Sequence, residues 1–208
     1  LASMIVHEVR NPLTTVKMCL TALRSSDLSE RDAMRLELAA SEASRLESLL
    51  NEILLYAKPQ TLQTQPVNLT ELTTEVLETL RDQPLARERS IIFKSDNNGV
   101  IIPGDADKLK QVLINLVSNA CEAIQPGEAV TCFLETQPNQ VCLRIHNGGE
   151  PIPPDVLPKL TQPFFTTKPT GTGLGLAIVK RIVEAHQGNF TLESTMETGT
   201  VTTVLFSQ

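Results

Sequence analysis

The chain has 208 residues, of which 41% are hydrophobic and 20% are charged, a composition that excludes a disordered or fibrous protein. At roughly 100 to 200 residues per domain, this length allows one large domain or two modest ones. Lysine and arginine together number 18 against 24 acidic residues, a net charge of −6, which argues against nucleic acid as a partner because phosphate-backbone binding depends on excess cations.

The cysteines and the hydropathy pattern bear on the cellular compartment. Cys19, Cys121, Cys132 and Cys142 lie singly among apolar residues, so we predict buried, reduced thiols. No apolar run approaches the roughly 18 residues of a membrane span, and no signal-peptide pattern follows Leu1. We therefore expect a cytoplasmic chain, with any membrane attachment supplied only by a missing upstream region.

Residues 1–58 carry apolar side chains at alternating steps of three and four, as in a coiled-coil seam. The pattern predicts an antiparallel helical hairpin, with Ser29 and Asp32 at the start of the second helix. Because two helices with one apolar stripe each cannot bury both stripes, we expect a second copy of the chain to complete a four-helix bundle, and hence a homodimer. The stripes are Val6, Val9, Leu13, Val16, Leu20 and Leu23, then Leu36, Ala39, Ala43, Leu46, Leu50, Ile53 and Ala57.

A polar, proline-bounded stretch over residues 59–66 predicts a linker to a second domain, residues 67–208. Strand-like and helix-like patterns alternate in that domain. We predict an α+β protein, in which the helical hairpin is followed by an α/β sandwich with helices on one face of a mixed sheet. The predicted helices cover about 69–87, 105–124 and 175–187, and the predicted strands lie near 91–94, 100–102, 129–135, 141–147, 189–193 and 200–206.

The first candidate for chemistry is a histidine on the first helix. At about 100° of rotation per residue, His7 lies well away from the centre of the apolar stripe, and Asn11, one turn on, shares its outer face. An isolated histidine at this position could be a surface residue without a functional role. Here, however, Glu8 is the next residue along the chain. A carboxylate that accepts one imidazole N–H makes the other nitrogen more nucleophilic. Pro12 is expected to disrupt the helix just beyond this group.

Residues 7–11, HEVRN, resemble the H-box of sensor histidine kinases, in the HExxN form of the HisKA-type dimerisation and phosphotransfer domain. The resemblance implies that His7 is autophosphorylated, that Glu8 is its general base, and that Asn11 positions water when the domain dephosphorylates its partner. It also implies that this partner is the receiver domain of a response regulator. We expect exposed residues below His7 to form part of the receiver-binding surface, among them Thr14, Lys17 and Met18.

A second cluster lies on the predicted helix over 105–124. Asn115, Asn119 and Glu122 recur on one polar edge of this helix. Such side chains could simply bond neighbouring backbone, but two amides and a carboxylate also suit Mg²⁺, which prefers oxygen ligands together with phosphate and water. The stretch resembles the N-box of the same family, which implies that Asn119 binds Mg²⁺ and that Asn115 and Glu122 surround the phosphates and the metal.

A glycine-rich turn over residues 162–176 runs directly into the last predicted helix. Its glycines let the backbone approach a polyphosphate, the helix N-terminus supplies positive potential, and Lys168 adds a cation. Considered alone, such a loop could also be an ordinary turn that does not bind phosphate. The segment resembles the F-box (Phe164, Phe165) and G2-box (171–176) of histidine-kinase ATP-binding domains, a fold shared with gyrase, Hsp90-type and MutL ATPases. This resemblance implies a mobile ATP lid over about 153–170.

One box departs from the family pattern. The family's DxGxG segment, whose aspartate meets the adenine amino group, aligns with residues 147–151, NGGEP. Asn147 can still accept a hydrogen bond, but a neutral acceptor is weaker than a charged one, so we expect adenine binding to be retained and weakened. Pro151 removes an N–H and stiffens the lid entrance. His146 and His186 are expected to be structural.

Taken together, the boxes predict the catalytic core of a sensor histidine kinase, with ATP and Mg²⁺ as cofactors, phosphotransfer from His7 to a receiver aspartate, and receiver phosphatase activity. One alternative is a dimeric docking or phosphatase scaffold impaired in nucleotide binding, supported by Asn147 and Pro151. A gyrase-type ATPase without phosphohistidine is another. The residues that the resemblance assigns to ATP are Asn115, Asn119, Glu122, Asn147, Gly149, Ile152, Phe165, Thr166, Thr167, Lys168, Gly171, Thr172, Gly173, Leu174, Gly175 and Leu176.

Overall fold

A computed structural model describes residues 2–24, 28–57, 61–97, 99–168 and 171–207, and the side chains of residues 2–8 lie outside this description. The chain divides into two compact units, Leu1–Pro59 and Gln60–Gln208. Within the described ranges, no helix combines the length and apolar character that crossing a membrane requires.

The first unit is the predicted helical hairpin, formed by α1 (Ala2–Leu23) and α2 (Glu30–Ala57). Three polar contacts show that the helices are antiparallel, since the partners of successive α1 residues move backwards along α2. Arg10 donates to Asn51 Oδ1 at 2.6 Å, and Lys17 and Arg24 form ion pairs with Glu47 and Glu37. As predicted, Ser29 caps α2: its Oγ accepts from the Asp32 N–H at 3.2 Å.

The expectation that Pro12 disrupts the first helix is wrong, because α1 runs through it from Ala2 to Leu23. A proline lacks the N–H that would bond the carbonyl four residues earlier, at a cost of about 3 kcal/mol. The helix persists because α1 contacts α2 on both sides of Pro12, through Arg10 before it and Lys17 after it. The hydroxyl of Thr14 also donates to the Arg10 carbonyl at 2.9 Å.

The apolar stripes are only partly covered within one hairpin. Leu36 and Ala43 of the predicted α2 stripe are buried, as is Leu54, which the stripe did not include. Four members of the two stripes remain exposed: Val9 (43%), Val16 (48%), Leu23 (48%) and Leu46 (44%).

The cysteine prediction is wrong for Cys19, which is exposed on α1 because no second layer covers that side of the hairpin within the unit. Cys121, Cys132 and Cys142 are buried, as predicted. Burial raises the pKa of all three thiols, that of Cys132 to about 12. These three side chains therefore behave as small apolar core residues.

The second unit is built on a five-stranded sheet with the order β2-β4-β5-β7-β6, in which β2 and β4 are parallel and the other neighbours are antiparallel. A separate ribbon pairs β1 with β3. The strands are β1 (Gln65–Asn68), β2 (Ser90–Ser95), β3 (Ile101–Gly104), β4 (Ala129–Gln137), β5 (Gln140–Asn147), β6 (Asn189–Thr195) and β7 (Gly199–Ser207), and the helices are α3 (Leu69–Arg81), α4 (Ala106–Glu122) and α5 (Gly175–Ala185).

One face of the sheet carries the core. Alternate residues of β4, such as Val130, Cys132 and Leu134, are fully buried, and α3, α4 and α5 supply the apolar side chains opposite them, including Leu113 and Ile178. The predicted α/β sandwich is confirmed. The strand period of two buries one face only, so the helices lie on a single side of the sheet.

Two element boundaries differ from the prediction. The helix expected over 69–87 ends at Arg81, because Pro84 opens a separate 3₁₀ turn, Pro84–Ala86. Strand β1 begins at Gln65, inside the stretch expected to be the linker. A four-residue strand that contains a proline carries almost no pattern, and it is formed only by pairing with β3.

Asp105 anchors the start of α4 to two other parts of the unit. Its carboxylate accepts from the Lys108 N–H at 3.2 Å and from the Gln63 N–H at 2.9 Å. Its own N–H donates to His186 Nε2 at 3.0 Å, and His186 Nδ1 bonds the Ile182 carbonyl at 2.8 Å, which gives this histidine the structural role predicted for it. Burial alone would raise the pKa of the Asp105 carboxyl, but the two N–H donors and the Lys108 charge outweigh it and hold the pKa below its ordinary value of 3.8.

We expect Asp105→Ala to lower the free energy of unfolding by about 1 kcal/mol near neutral pH, as for other lost N-caps. Because the folded pKa lies below the unfolded one, the carboxylate stabilises the fold fully above the unfolded pKa and loses this effect as the pH falls through the folded pKa. The difference from the wild-type chain should therefore shrink below about pH 4. Urea denaturation over a pH series measures it.

The matched control is Asp107→Ala, an exposed acid in the same first turn of α4, for which we expect a loss of only about 0.3 kcal/mol. Equal losses for the two variants, or a difference that does not change with pH, would contradict the anchoring role of Asp105.

Candidate functional site

The polar edge of α4 is the floor of the candidate site. The apolar face of α4 is in the core, and this leaves Asn115, Asn119 and Glu122 on its other side. Asn115 Nδ2 donates to the Gly175 carbonyl at 3.3 Å, which ties the floor to the first turn of α5. A Cβ added at Gly175 would lie only 3.9 Å from both asparagine side chains. The structure thus brings the predicted N-box residues against the start of the G2-box helix.

Lys168 contacts the C-terminal half of this polar edge from the lid side. Its Nζ donates to Asn119 Oδ1 at 3.0 Å and forms an ion pair with Glu122 Oε2. Its backbone N–H donates to Thr166 Oγ1 at 3.0 Å, so the loop that carries it is held locally. Thr166 and Thr167 are exposed, and residues 169 and 170 of the predicted lid lie outside the described residues.

Two glycines of the glycine-rich turn make close approaches, Gly173 to backbone atoms and Gly171 to a side chain. Gly173 has φ of +71°, and a Cβ there would lie 2.5 Å from the carbonyl carbon of Phe164 and 2.7 Å from the Phe165 nitrogen. The Phe164 N–H donates to the Gly173 carbonyl at 3.0 Å. At Gly171, a Cβ would lie 2.5 Å from Thr166 Oγ1. The F-box and the G2-box therefore pack closely, and Gly173 has no room for a side chain.

The glycine-rich turn leads directly into the N-terminus of α5. Leu174 is buried and makes no side-chain capping hydrogen bond, and its N–H donates to Thr172 Oγ1 at 3.4 Å. The first backbone N–H groups of α5, from Gly175 and Leu176 onwards, together with the positive end of the helix dipole, are suited to an anion.

The carboxyl end of β5 forms the opposite end of the site. Asn147 is buried, and its Nδ2 donates to the Gly148 carbonyl at 2.6 Å, so Oδ1 is the atom suited to accept from an adenine amino group. Gly149 has φ of +89°, and a Cβ there would lie 2.3 Å from the Ala123 carbonyl at the end of α4. From Asn115 to Ala123 the helix rises about 12 Å, which separates the two ends of the site.

Thr200 belongs to this end of the site and was missed by the sequence analysis. It is buried and lies opposite Asn147 in the pairing of β5 with β7. Its Oγ1 is 2.8 Å from Ser194 Oγ, which accepts from the Ile152 N–H at 3.0 Å. The pair therefore links the adenine end to the start of the lid. The feature of the sequence that could have identified Thr200 is its position directly after Gly199, at the start of the last predicted strand.

The candidate phosphate acceptor lies in the other unit. His7, Glu8 and Asn11 all fall within α1, and Asn11 is exposed. The predicted exposure of the His7 and Glu8 side chains lies outside the described residues. On the surface proposed for the receiver, Thr14 and Met18 are exposed, whereas Lys17 is half-buried in its ion pair with Glu47.

The floor of the site fits a divalent cation. The Asn119 amide oxygen and the Glu122 carboxylate together bind one positive group, the Lys168 ammonium. Oxygen atoms already arranged around a cation are the kind of ligand set that Mg²⁺ prefers, and phosphate and water complete it in proteins.

The comparisons with known proteins agree with this architecture. The model of the His Kinase A (phospho-acceptor) domain matches residues 1–62, and the model of histidine kinase-, DNA gyrase B-, and HSP90-like ATPases matches residues 104–208. The chain therefore belongs to the sensor histidine kinases of two-component systems, with a phospho-acceptor domain followed by an ATPase-type domain.

Individual relatives match nearly the whole length of this chain. Sporulation kinase A of Bacillus subtilis (strain 168) is 37% identical over 207 residues, which cover 99% of this chain and 34% of that kinase; the chain thus spans about a third of that relative's length. Histidine kinase ThkA, solved in complex with the response regulator protein TrrA, is 32% identical with a TM-score of 0.73, covering 99% of this chain and 60% of that chain. Full-length ShkA, solved with AMPPNP, shares the fold, with a TM-score of 0.84 at 24% identity, covering 99% of this chain and 45% of that chain.

We expect Gly173→Ala to weaken binding of a fluorescent ATP analogue roughly tenfold, the equivalent of one or two lost phosphate hydrogen bonds. The added methyl group cannot fit against Phe164 and Phe165, so the turn must move away from α5. Gly127→Ala is the matched control, since Gly127 also has positive φ (+90°) but a Cβ there meets nothing within 4 Å. That variant should lose about 1 kcal/mol of stability and keep its nucleotide affinity. Equal affinities for both variants would contradict the role of this turn.

Proposed function

We propose that this chain is the ATP-dependent catalytic core of a sensor histidine kinase that works in the cytoplasm: residues 67–208 bind Mg–ATP, residues 1–58 carry the phosphate acceptor, and residues 59–66 link them. The observation that carries this proposal is the convergence of the α4 edge, the lid lysine and the glycine-rich turn at the N-terminus of α5. Three segments far apart in the sequence meet there with the groups that a triphosphate and its metal require.

In this proposal the middle of α4 lies beside the phosphates of the nucleotide, and the C-terminal end of α4 lies beside the adenine. Asn147 accepts from the adenine amino group, and Gly149 lets that part of the chain reach the end of α4. The N–H groups of the glycine-rich turn and of Gly175 hold phosphate oxygens. Asn119 and Glu122 would hold Mg²⁺, which when bound would neutralise charge on the phosphate oxygens. The remaining residues assigned to ATP enclose it: Ile152 at the start of the lid, Phe165, Thr166, Thr167 and Lys168 within it, and Gly171, Thr172, Gly173, Leu174 and Leu176 in the turn.

The acceptor is His7. One imidazole nitrogen forms a bond to the γ-phosphorus while the bond from that phosphorus to the β–γ bridging oxygen breaks, and ADP leaves with that electron pair. Glu8 accepts the proton from the other ring nitrogen. Such transfers depend mainly on in-line positioning and on neutralised phosphate charge, and the Lys168 ammonium group and the N-terminus of α5 are groups suited to the second of these.

We propose further that the phosphoryl group passes to an aspartate on a response-regulator receiver, and that Asn11 orients water for the reverse dephosphorylation. Exposed Asn11, Thr14 and Met18 support this surface. A homodimer is supported by the exposed apolar row at Val9, Val16 and related positions, because burial of such a row on a second copy completes a four-helix core.

We expect the chain, incubated with Mg²⁺ and ATP labelled at the γ-phosphate, to acquire a label that is labile in acid and stable in base, and we expect His7→Gln to abolish it. His146→Gln is the control, since His146 bonds the Thr198 carbonyl and has no part in the proposed chemistry; it should remain labelled. Label on His7→Gln, with normal folding, would contradict the acceptor assignment.

Two other outcomes would favour the alternatives. A folded dimer that takes up no label would indicate a docking or phosphatase scaffold whose adenine site is impaired at Asn147 and Pro151. ATP turnover that His7→Gln leaves unchanged would indicate a gyrase-type ATPase.

The phosphatase assignment has its own test. We expect Asn11→Ala to slow the decay of a phosphorylated receiver domain by roughly tenfold or more, because a water molecule loses the group that orients it, while autophosphorylation is retained. Asn189→Ala, which removes an exposed asparagine at the start of β6 in the other unit, is the control and should leave the decay unchanged. Equal decay rates with Asn11→Ala and the wild-type chain would overturn this role.

A further inference from the structure

Lys168 lies where the proposed function requires a metal ion. Its ammonium group contacts the Asn119 amide oxygen at 3.0 Å and pairs with the Glu122 carboxylate, and these are the two oxygen ligands that α4 offers to Mg²⁺. An ammonium group and a divalent cation cannot both occupy the short space between these oxygens. The lid and the metal are therefore competitors for one subsite.

The position of Lys168 follows from the local fold of the lid. The hydroxyl of Thr166 accepts the Lys168 N–H at 3.0 Å, and Gly171 packs so closely that an added Cβ would lie 3.2 Å from Lys168 Cβ. The base of the side chain is thus held on both sides, and its flexible methylene chain spans the remaining gap to α4.

We propose that Lys168 is an internal cation that occupies the metal subsite of α4 until Mg–ATP arrives, and that the metal displaces it onto the phosphate oxygens. The proposal rests on the proposed function, and it adds a mechanism that couples lid position to metal binding.

The charges explain why such a cation is useful. Without metal or Lys168, the Glu122 carboxylate would stand unpaired where a triphosphate must enter, and like charges at short range repel. Lys168 neutralises that charge before the nucleotide arrives. When Mg²⁺ takes over Asn119 and Glu122, the released ammonium group becomes available to the phosphates, so one positive charge serves both states.

The test is binding of Mn²⁺ alone, without nucleotide, followed by electron paramagnetic resonance. We expect Lys168→Gln to bind Mn²⁺ roughly two- to fivefold more tightly than the wild-type chain, which is the range that half-exposed ion pairs give. The control is Lys159→Gln, another lid lysine, which pairs with Asp155 at 3.8 Å and should leave Mn²⁺ affinity unchanged. Adding Glu122→Gln to Lys168→Gln should remove the gain.

A second readout follows the lid. In the wild-type chain, Mn²⁺ alone should speed amide hydrogen exchange over residues 162–168, because it releases Lys168 from α4. In Lys168→Gln the exchange should already be fast and should not respond to Mn²⁺. Unchanged or weaker Mn²⁺ binding by Lys168→Gln, or an equal gain in Lys159→Gln, would overturn the proposal.

The outcome can be separated from that of the proposed function. Failure of the wild-type chain to bind the fluorescent ATP analogue would refute the nucleotide site, whereas intact ATP binding with no Mn²⁺ response to Lys168→Gln would refute only the displacement of Lys168.

Discussion

In the second unit, helix α4 contributes both to the core and to the candidate site, one with each of its faces. The face of α4 that carries Leu113, Leu116 and Val117 fills the core against the sheet, and this burial fixes the rotation of the helix. Asn119 and Glu122 must then point to the other side, towards the lid. The Asp105 cap sets where the helix begins. The position of the polar edge along the helix axis therefore follows from this cap, and its rotation follows from core packing, rather than from Asn119 and Glu122 themselves.

Close backbone approaches then bring the other segments to α4. Gly149 meets the carbonyl after the end of the helix, and Gly173 meets the F-box backbone, each with positive φ and with no room for a Cβ. The Gly149 contact places the end of β5 beside the C-terminal end of α4, and the hydrogen bond from Asn115 to the Gly175 carbonyl places the G2-box turn beside the middle of the same helix. Glycine is required at both positions because only a residue without a Cβ allows the backbone to approach so closely.

Local signals made most of the elements predictable. The hairpin, α4, α5 and the central strands were identified because their apolar residues repeat with the helix or strand period over many residues. Strand β1 escaped prediction because its four residues include Pro66 and gain hydrogen bonds only from β3. The predicted break of α1 at Pro12 is wrong because contacts with α2 outweigh the local cost of the proline. The predicted burial of Cys19 is wrong because its apolar neighbours in the sequence do not reveal which side of α1 is covered.

The residue types and spacings of the candidate site are read directly from the sequence, since the asparagines and the glutamate recur at helix spacing on α4 and the glycines directly precede α5. Which of these groups meet follows only from the tertiary structure. The pairing of Lys168 with Asn119 and Glu122 joins residues more than 40 positions apart, and Thr200 reaches Asn147 only through the pairing of two strands. Such contacts have no local period, because the free energy that forms them comes from packing the whole unit.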